Sequence, residues 1–455
     1  MRNLLTLALA LGLAGAATAQ NNTATVTQSG KDNLADVTQT GSAHEADVNQ
    51  NTQGNTGVDA SVTQTGTSQF ADVDQLGNSP NAYAEVVQGD GSGTGNNEAY
   101  ITQKRSQNAS DAIVHQAGTE NVGTIFQDAG GVNTAEIYQG QTDGASAENS
   151  AVINQDRDDQ SPLRGSAVVS QDGFSNDATV DQSLNTNGEA SVDQDGDDNF
   201  ADIDQSNSTV IDPNHKADVV QNGDLNDAVI SQVGAASARN TAEINQEGDG
   251  NDAAVDQDAS SGSTAKIEQD GDSNFGTITQ SGSGNAATQS MTGGDSNDVQ
   301  IDQAGTSNTA LYETWGDGNT VAIDQAGTSN FIYFNARGTG PGQGSAAGSV
   351  DDNLVTLIQD GTSNSISGAV SGDENTIYVE QEGASNSAGM GFTAAGVDVF
   401  GDENNVNVFQ TPGGNSATVL VTGDLNVVDI DQTTMGNTAT VDTMGMSNTA
   451  TIVQQ

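Results

Sequence analysis

Residues 28–50 read QSGKDNLADVTQTGSAHEADVNQ, and two copies of one short phrase are visible in them: Asn33, Ala35, Val37, Gln39, Gly41, and then His44, Ala46, Val48, Gln50. The phrase is N-x-A-x-V-x-Q-x-G-x-x, and it returns about every eleven residues as far as Gln454. A chain made of one small unit in tandem folds by stacking, because a single unit cannot bury its own apolar face.

Within a unit the marked residues alternate with polar ones. Asn199, Ala201, Ile203 and Gln205 are interleaved with Phe200, Asp202 and Asp204, and the same alternation appears at Asn176, Ala178, Val180, Gln182 and at Asn448, Ala450, Ile452, Gln454. A period of two is the strand signature and places the marked residues on one face. The x-G-x-x that follows is rich in Gly, Asp, Ser and Asn, which tolerate positive φ or bond their own backbone, so each unit reads as strand plus tight turn. An antiparallel meander and a solenoid of two-strand coils both fit a strand and turn of this length. The amides decide for the solenoid: Asn and Gln at fixed phase bond to their copies one coil above and below, which rewards repeating the same residue. The expected fold is all-β, a β-solenoid of stacked two-strand coils, with Ala and Val filling an interior too narrow for large rings.

Composition agrees with a thin core. Aromatics are 4% and hydrophobics 33% of the 455 residues, and glycines recur at one phase of the repeat, whereas a disordered chain scatters them. Burying one Val contributes about 1.5–3 kcal/mol while ordering one residue's backbone costs about 1–2 kcal/mol, so an isolated coil is unstable and neighbours are required.

The formal charge of −52, from 62 acidic and 10 basic residues, argues against nucleic acid and anionic lipid as partners. So much acid reads first as a solvated face. Calcium binding is the sharper reading: Gly248–Asn251 and Gly316–Asn319 carry Gly-Asp-Gly-Asn, a fragment of the calcium nonapeptide, though its tandem form is absent. No cofactor or metal site is expected, and the absence of cysteine removes disulfides and thiolate ligands. Nor is a catalytic site. His44 and His215 occupy the Asn phase as polar ladder substitutes, His115 faces outward, and no nucleophile motif accompanies them.

Asp36, Asp47, Asp72, Asp202 and Asp218 lie between the inward Ala and Val and point to solvent. Like charges on adjacent coils repel by about 1 kcal/mol before screening. Counting alternate strands, the chain dilutes this cost: Asp218, Glu243 and Lys266 share one face, and Ser231 separates Asp204 from Asp256. Asp202, Asp204 and Asp218 are read as gatekeepers that slow premature association. Phe70, Phe200, Phe275 and Phe331 follow the Asn phase, outward, where they make lateral contacts or are scattered surface rings. Longer spacers at 89–96, 140–148, 156–164, 206–216, 337–351 and 393–403 read as loops leaving the coil corners.

Residues 1–19 read as a signal peptide, with Arg2, the apolar run Leu4–Leu13 and Ala17-Thr18-Ala19 before the expected cut at Gln20; residues 20–455 are then the repeat solenoid. No later segment is apolar enough for a membrane helix, so the expected mature protein is secreted, soluble and not inserted in the membrane.

The pattern Q-x-G-x-x-N-x-A-x-[VI]-x-Q, carried by Gln171–Gln182, Gln194–Gln205 and Gln221–Gln232, and with Gln69 or Gly123 substituted at Gln64–Gln75 and Gln116–Gln127, resembles the curlin repeat of the subunits that form curli, the amyloid fibres of bacterial biofilms. The resemblance covers nearly all of the chain after the leader. It implies a secreted subunit exported unfolded through outer-membrane machinery, self-associating into fibres as a β-solenoid and templated by a nucleator subunit. The chain departs from the familiar pattern in its length, in the Asn that opens most units where the major subunit alternates with Ser, and in starting its repeats at Asn22 without a glycine-rich export leader. The end, Thr451-Ile452-Val453-Gln454-Gln455, lacks the nucleator's basic tail, so major and minor roles stay open. The expected function is a structural subunit of an extracellular fibre for adhesion and biofilm matrix, not an enzyme. The rivals are a monomeric secreted adhesin solenoid, stiffened by calcium, and a carbohydrate-acting β-helix enzyme.

Overall fold

The computed structural model describes residues 21–52, 57–77, 81–89, 95–104, 110–128, 132–140, 147–156, 165–183, 187–207, 215–234, 239–258, 261–336, 351–388 and 397–455. The expected leader lies outside them, as does most of each expected spacer loop except 393–403, of which 397–403 are described. Among the described residues there are 36 β-strands and no helix, so none is available to cross a membrane.

The strands form two sheets that run the length of the chain. Successive strands alternate between them, so that Asp177–Ser183 lies in what we call the front sheet and Glu189–Asp195 in the back sheet. Each strand therefore pairs in parallel with the next strand but one, except around one back-sheet layer that is split into two short strands. Asp177–Ser183 pairs with Phe200–Asn207, which pairs with Asp227–Gly234, with Ala178, Ala201 and Ala228 in one file and Val180, Ile203 and Ile230 in the next. This is a two-strand coil solenoid, and the antiparallel meander is excluded.

The core is the strip between the sheets, filled by files of Ala and of Val or Ile that are almost wholly inaccessible to solvent. Large rings do enter it, contrary to the expectation from composition. Tyr312 and Phe334 occupy the Val/Ile file of the back sheet and are fully buried. Room for Phe334 comes from Gly368, its neighbour in that file: a Cβ there would lie 2.6 Å from the Phe334 ring. A second difference is at Val397–Phe400, within a segment expected to be a loop. It is a short strand that completes, with Ser387–Ala388, one layer of the back sheet between Ser365–Ser371 and Ser416–Thr422.

The corners explain the fixed glycine phase. Gly196 has φ +130°, and a Cβ added to it would meet the Gly223 carbonyl oxygen of the next coil at 2.1 Å. Backbone stacks on backbone at this corner, so both the dihedral and the approach require glycine. The residue before each front-sheet Asn also takes a left-handed conformation, as at Ser175 (φ 57°), Asp198 (φ 57°) and even Leu225 (φ 61°).

Candidate functional site: amide ladders, acidic faces and strand edges

Inward Gln side chains end every full front-sheet strand but one and the back-sheet strands as far as Gln269. In the front sheet they form one unbroken row from Gln28 to Gln454, each Nε2 donating to the Oε1 of the next coil at 2.6–2.9 Å. The second Nε2 hydrogen reaches across the core: Gln205 donates to the Glu189 carbonyl at 3.0 Å and Gln182 to that of Ser166 at 3.2 Å. One side chain thus ties coil to coil and front sheet to back. All the amides of the row point the same way, donor toward the C-terminal end.

The Asn phase works in the opposite sense. The backbone N–H of each Asn donates to the side-chain oxygen of the Asn one coil earlier, at 2.9–3.2 Å from Asn97 to Asn448 in the front sheet. Side-chain Nδ2 groups cap the corner carbonyls, as Asn199 does for Gly223 at 2.7 Å. The histidines fit this scheme. His44 Nδ1 accepts from the Gln69 N–H and His215 Nδ1 from the Asn240 N–H, each at 3.3 Å. His215 is completely buried and its Nε2 finds no partner, and burial lowers its pKa to about 4. His115 lies on the outer face, edge-on to Tyr138 at 5.4 Å.

The residues singled out in the sequence divide between the two sheets. Asn33, Ala35, Val37, Gln39 and Gly41 belong to the back sheet's first strand and the turn before it; Gln39 donates to Gln64 at 2.9 Å, and a Cβ on Gly41 would strike the Gly66 carbonyl. Asn176, Ala178, Val180, Gln182 and Asn199, Ala201, Ile203, Gln205 are neighbouring layers of the front sheet. Asn448, Ala450, Ile452 and Gln454 form its last layer, with Gln454 donating to the Thr438 carbonyl at 3.1 Å. Asp202 and Asp204 lie on the outer face of the front sheet and Asp218 on that of the back sheet, so the three are not brought together.

Outer-face charge is spread unevenly. Asp218, Glu243 and Lys266 stand in one back-sheet file, and Lys266 bonds Glu243 at 3.0 Å and Glu268 at 2.8 Å, while Lys216 approaches Asp218 at 3.8 Å. On the front sheet Ser231 does separate Asp204 from Asp256, but Asp47 and Asp72, Asp181 and Asp204, Asp227 and Asp252, and Asp302 and Asp324 are direct neighbours. Dilution is therefore partial. Burial, then the charges of Asp204 and Asp177, raises the Asp202 carboxyl above its ordinary value; for Asp181 burial is followed by Asp204, Asp156 and Asp202.

One feature escaped the sequence reading altogether. At the corner leading from back to front sheet, Asp197, Asp224, Asp249, Asp272, Asp295, Asp317, Asp351, Asp373, Asp402 and Asp424 form a column, each Oδ1 accepting a backbone N–H from the coil before at 2.8–3.1 Å. Both Gly-Asp-Gly-Asn fragments belong to it, through Asp249 and Asp317. The carboxylates hold the corner in register by hydrogen bonding, and no group of acidic or histidine side chains among the described residues is arranged to hold a metal ion.

The sheet ends carry unpaired edges. Among the described residues Thr23–Ser29 and Leu34–Ser42 each pair on one side only, as do Thr438–Met444 and Thr449–Gln454 at the other end.

Comparison with known proteins gives a family. The model of the curlin associated repeat matches at residues 17–56, 238–271, 261–290, 271–305, 294–327, 351–396 and 401–433. A comparison with curated proteins found no match. Matches in seven stretches, lying over coils near the N-terminus and throughout the second half of the chain, support its assignment as a curlin-repeat protein.

Proposed function

We propose that this protein is a secreted structural subunit of curli-type extracellular fibres, serving adhesion and the biofilm matrix, and that it assembles by β-strand addition at the open ends of the solenoid. The single observation that carries this reading is the pair of unpaired edges at each end, where the ladders stop with their hydrogen-bonding groups oriented along the rod. Gln28 offers an Oε1 acceptor at one end, and Asn448 an Oδ1 acceptor at the other. A second copy supplies the matching strand and amides. In this reading residues 1–19 direct export and are removed, residues 20–455 are the fibre-forming unit, and a nucleator subunit and outer-membrane export machinery are the partners. No substrate is turned over.

The ladder residues of the end layers are the association surface, those in between hold the rod together, and Asp202, Asp204 and Asp218 restrain lateral and premature contact through their charge. The test is assembly of the purified mature chain. Fibres with a meridional spacing near 4.8 Å and dye binding that survives chelator support the proposal. A chain that stays monomeric at high concentration and instead gains thermal stability with calcium supports the adhesin reading and refutes this one.

A further inference from the structure

The two sheets are not built alike along their length. The back-sheet Gln row runs unbroken from Gln39 to Gln269 at 2.8–2.9 Å and then stops. In the next coil its place is taken by Met291, and in the following ones by Thr314, Ala336 and Val370. The back-sheet Asn row does the reverse. Val58, Ala82 and Gly165 stand at its phase upstream, whereas from Asn285 to Asn437 it is continuous at 2.9–3.1 Å.

Between strands Thr264–Asp270 and Ala286–Thr292 neither row crosses. Gln269 turns its Nε2 to the carbonyls of Asp252 and Asn274 instead, and Asn285 donates to a serine hydroxyl, Ser263 Oγ, at 3.3 Å. Gln289 stands in the aliphatic file here. With both ends of its amide satisfied, it donates to the Val299 carbonyl and accepts from the Thr277 N–H, each at 3.1 Å, so it binds the front sheet's backbone and not its own neighbours. Gly276 makes the space, since a Cβ there would come within 2.6 Å of the Gln289 amide and 3.0 Å of Met291 Cε. The front sheet shows no such break: Gln257, Gln280 and Gln303 are linked at 2.8–2.9 Å, and Asn251, Asn274 and Asn297 at 3.0 Å.

We propose that this seam is a one-sided hinge, at which the back sheet opens between Thr264–Asp270 and Ala286–Thr292 while the front sheet holds. The backbone pairing across it is intact, so the rod is continuous at rest. What is missing is the amide cross-link that every earlier back-sheet layer has. In a stack whose layers touch only their neighbours, local opening starts at the weakest interface. The upstream segment is locked on both faces by Gln, and the downstream segment is locked by Gln on one face.

Hydrogen exchange on the full chain tests this, whether or not it forms fibres. The amides of Ala286–Thr292 are expected to exchange about tenfold faster than those of Lys216–Asn222, with Phe275–Ser283 and Asp298–Thr306 remaining slow. Combining Gln289→Val with Met291→Gln restores the link to Gln269 and is expected to bring the ratio below about threefold. Conversely, Gln221→Met interrupts an intact row and is expected to move fast exchange to Lys216–Asn222. Equal protection of the two back-sheet strands in the unmodified chain overturns the proposal. If the repaired variant does not fold, Gln221→Met decides: unchanged exchange at Lys216–Asn222 overturns it.

Discussion

Replacing Gln205 by leucine removes one rung from the middle of the front-sheet row without emptying the space. Three buried groups then lose a partner: Gln182 Nε2, which donates to Gln205 at 2.9 Å, Gln232 Oε1, which accepts from it at 2.9 Å, and the Glu189 carbonyl across the core at 3.0 Å. An orphaned buried polar group costs about 1–3 kcal/mol, so three cost about 3–9 kcal/mol, and the apolar side chain returns about 1–2 kcal/mol, leaving a net loss of about 1–8 kcal/mol, in the lower part of that range because Gln182 keeps its bond to the Ser166 carbonyl. The same change at Gln454 breaks bonds only to Gln432 and Thr438, at a site water can reach, and is expected to cost under about 1 kcal/mol. Because layers communicate through their neighbours, the loss should be read locally, as native-state exchange of Asp177–Ser183 and Asp227–Gly234. A Gln205→Leu chain within about 0.5 kcal/mol of the parent, or no worse than Gln454→Leu, refutes the claim that the amide rows hold the coils together.

Acid should act through His215. Its folded pKa is about 4 against an ordinary 6.5, so the unfolded chain binds the extra proton and stability falls as pH drops from about 6.5 to 4, by on the order of 3 kcal/mol in total. His215→Asn, which restores the ladder residue, should flatten that limb in pH-dependent denaturation. The front-face carboxylates work oppositely: Asp181, Asp202 and Asp204 have raised pKa values, so the native state holds their protons longer and stability from these groups rises as pH falls through their titration. In the corner column, Asp249→Asn keeps an Oδ1 acceptor but removes repulsion from Asp224 and Asp272. It should stabilise by about 1–2 kcal/mol at low salt and by only a few tenths in molar salt, read from denaturant midpoints at the two ionic strengths. Gly196→Ala should cost more than about 3 kcal/mol, since its Cβ meets a carbonyl at 2.1 Å, whereas Gly436→Ala, with φ 77° and nothing within 4 Å, should cost about 1 kcal/mol.

Much of the architecture was legible because the repeat encodes it redundantly. Period-two alternation puts Asn199, Ala201, Ile203 and Gln205 inward, and counting alternate strands places Asp218, Glu243 and Lys266 in one file, as the structure does. The Asp197–Asp424 column was not legible, because each turn was read alone and Asp is an ordinary turn residue; only coil-to-coil register shows that the acids stack. Tyr312 and Phe334 were missed for a related reason. Average composition set the width of the core, while the space for a ring is made by one glycine in an adjacent layer, Gly368. The back-sheet change at Met291 was visible in principle as a Gln missing from its phase, but it carries no meaning until the two sheets are separated.

Register is the claim on which everything else rests, and paired cysteines in the cysteine-free chain read it directly. Thr179 and Asp202 are in-register partners on adjacent front-sheet strands, a spacing of about 4.8 Å that a disulfide spans. Thr179→Cys with Asp202→Cys should cross-link within one chain under mild oxidation, and Thr179→Cys with Ser191→Cys, which places the second thiol on the opposite sheet, should not. Cross-linking of the second pair in preference to the first would mean that consecutive strands are neighbours, and would contradict the solenoid.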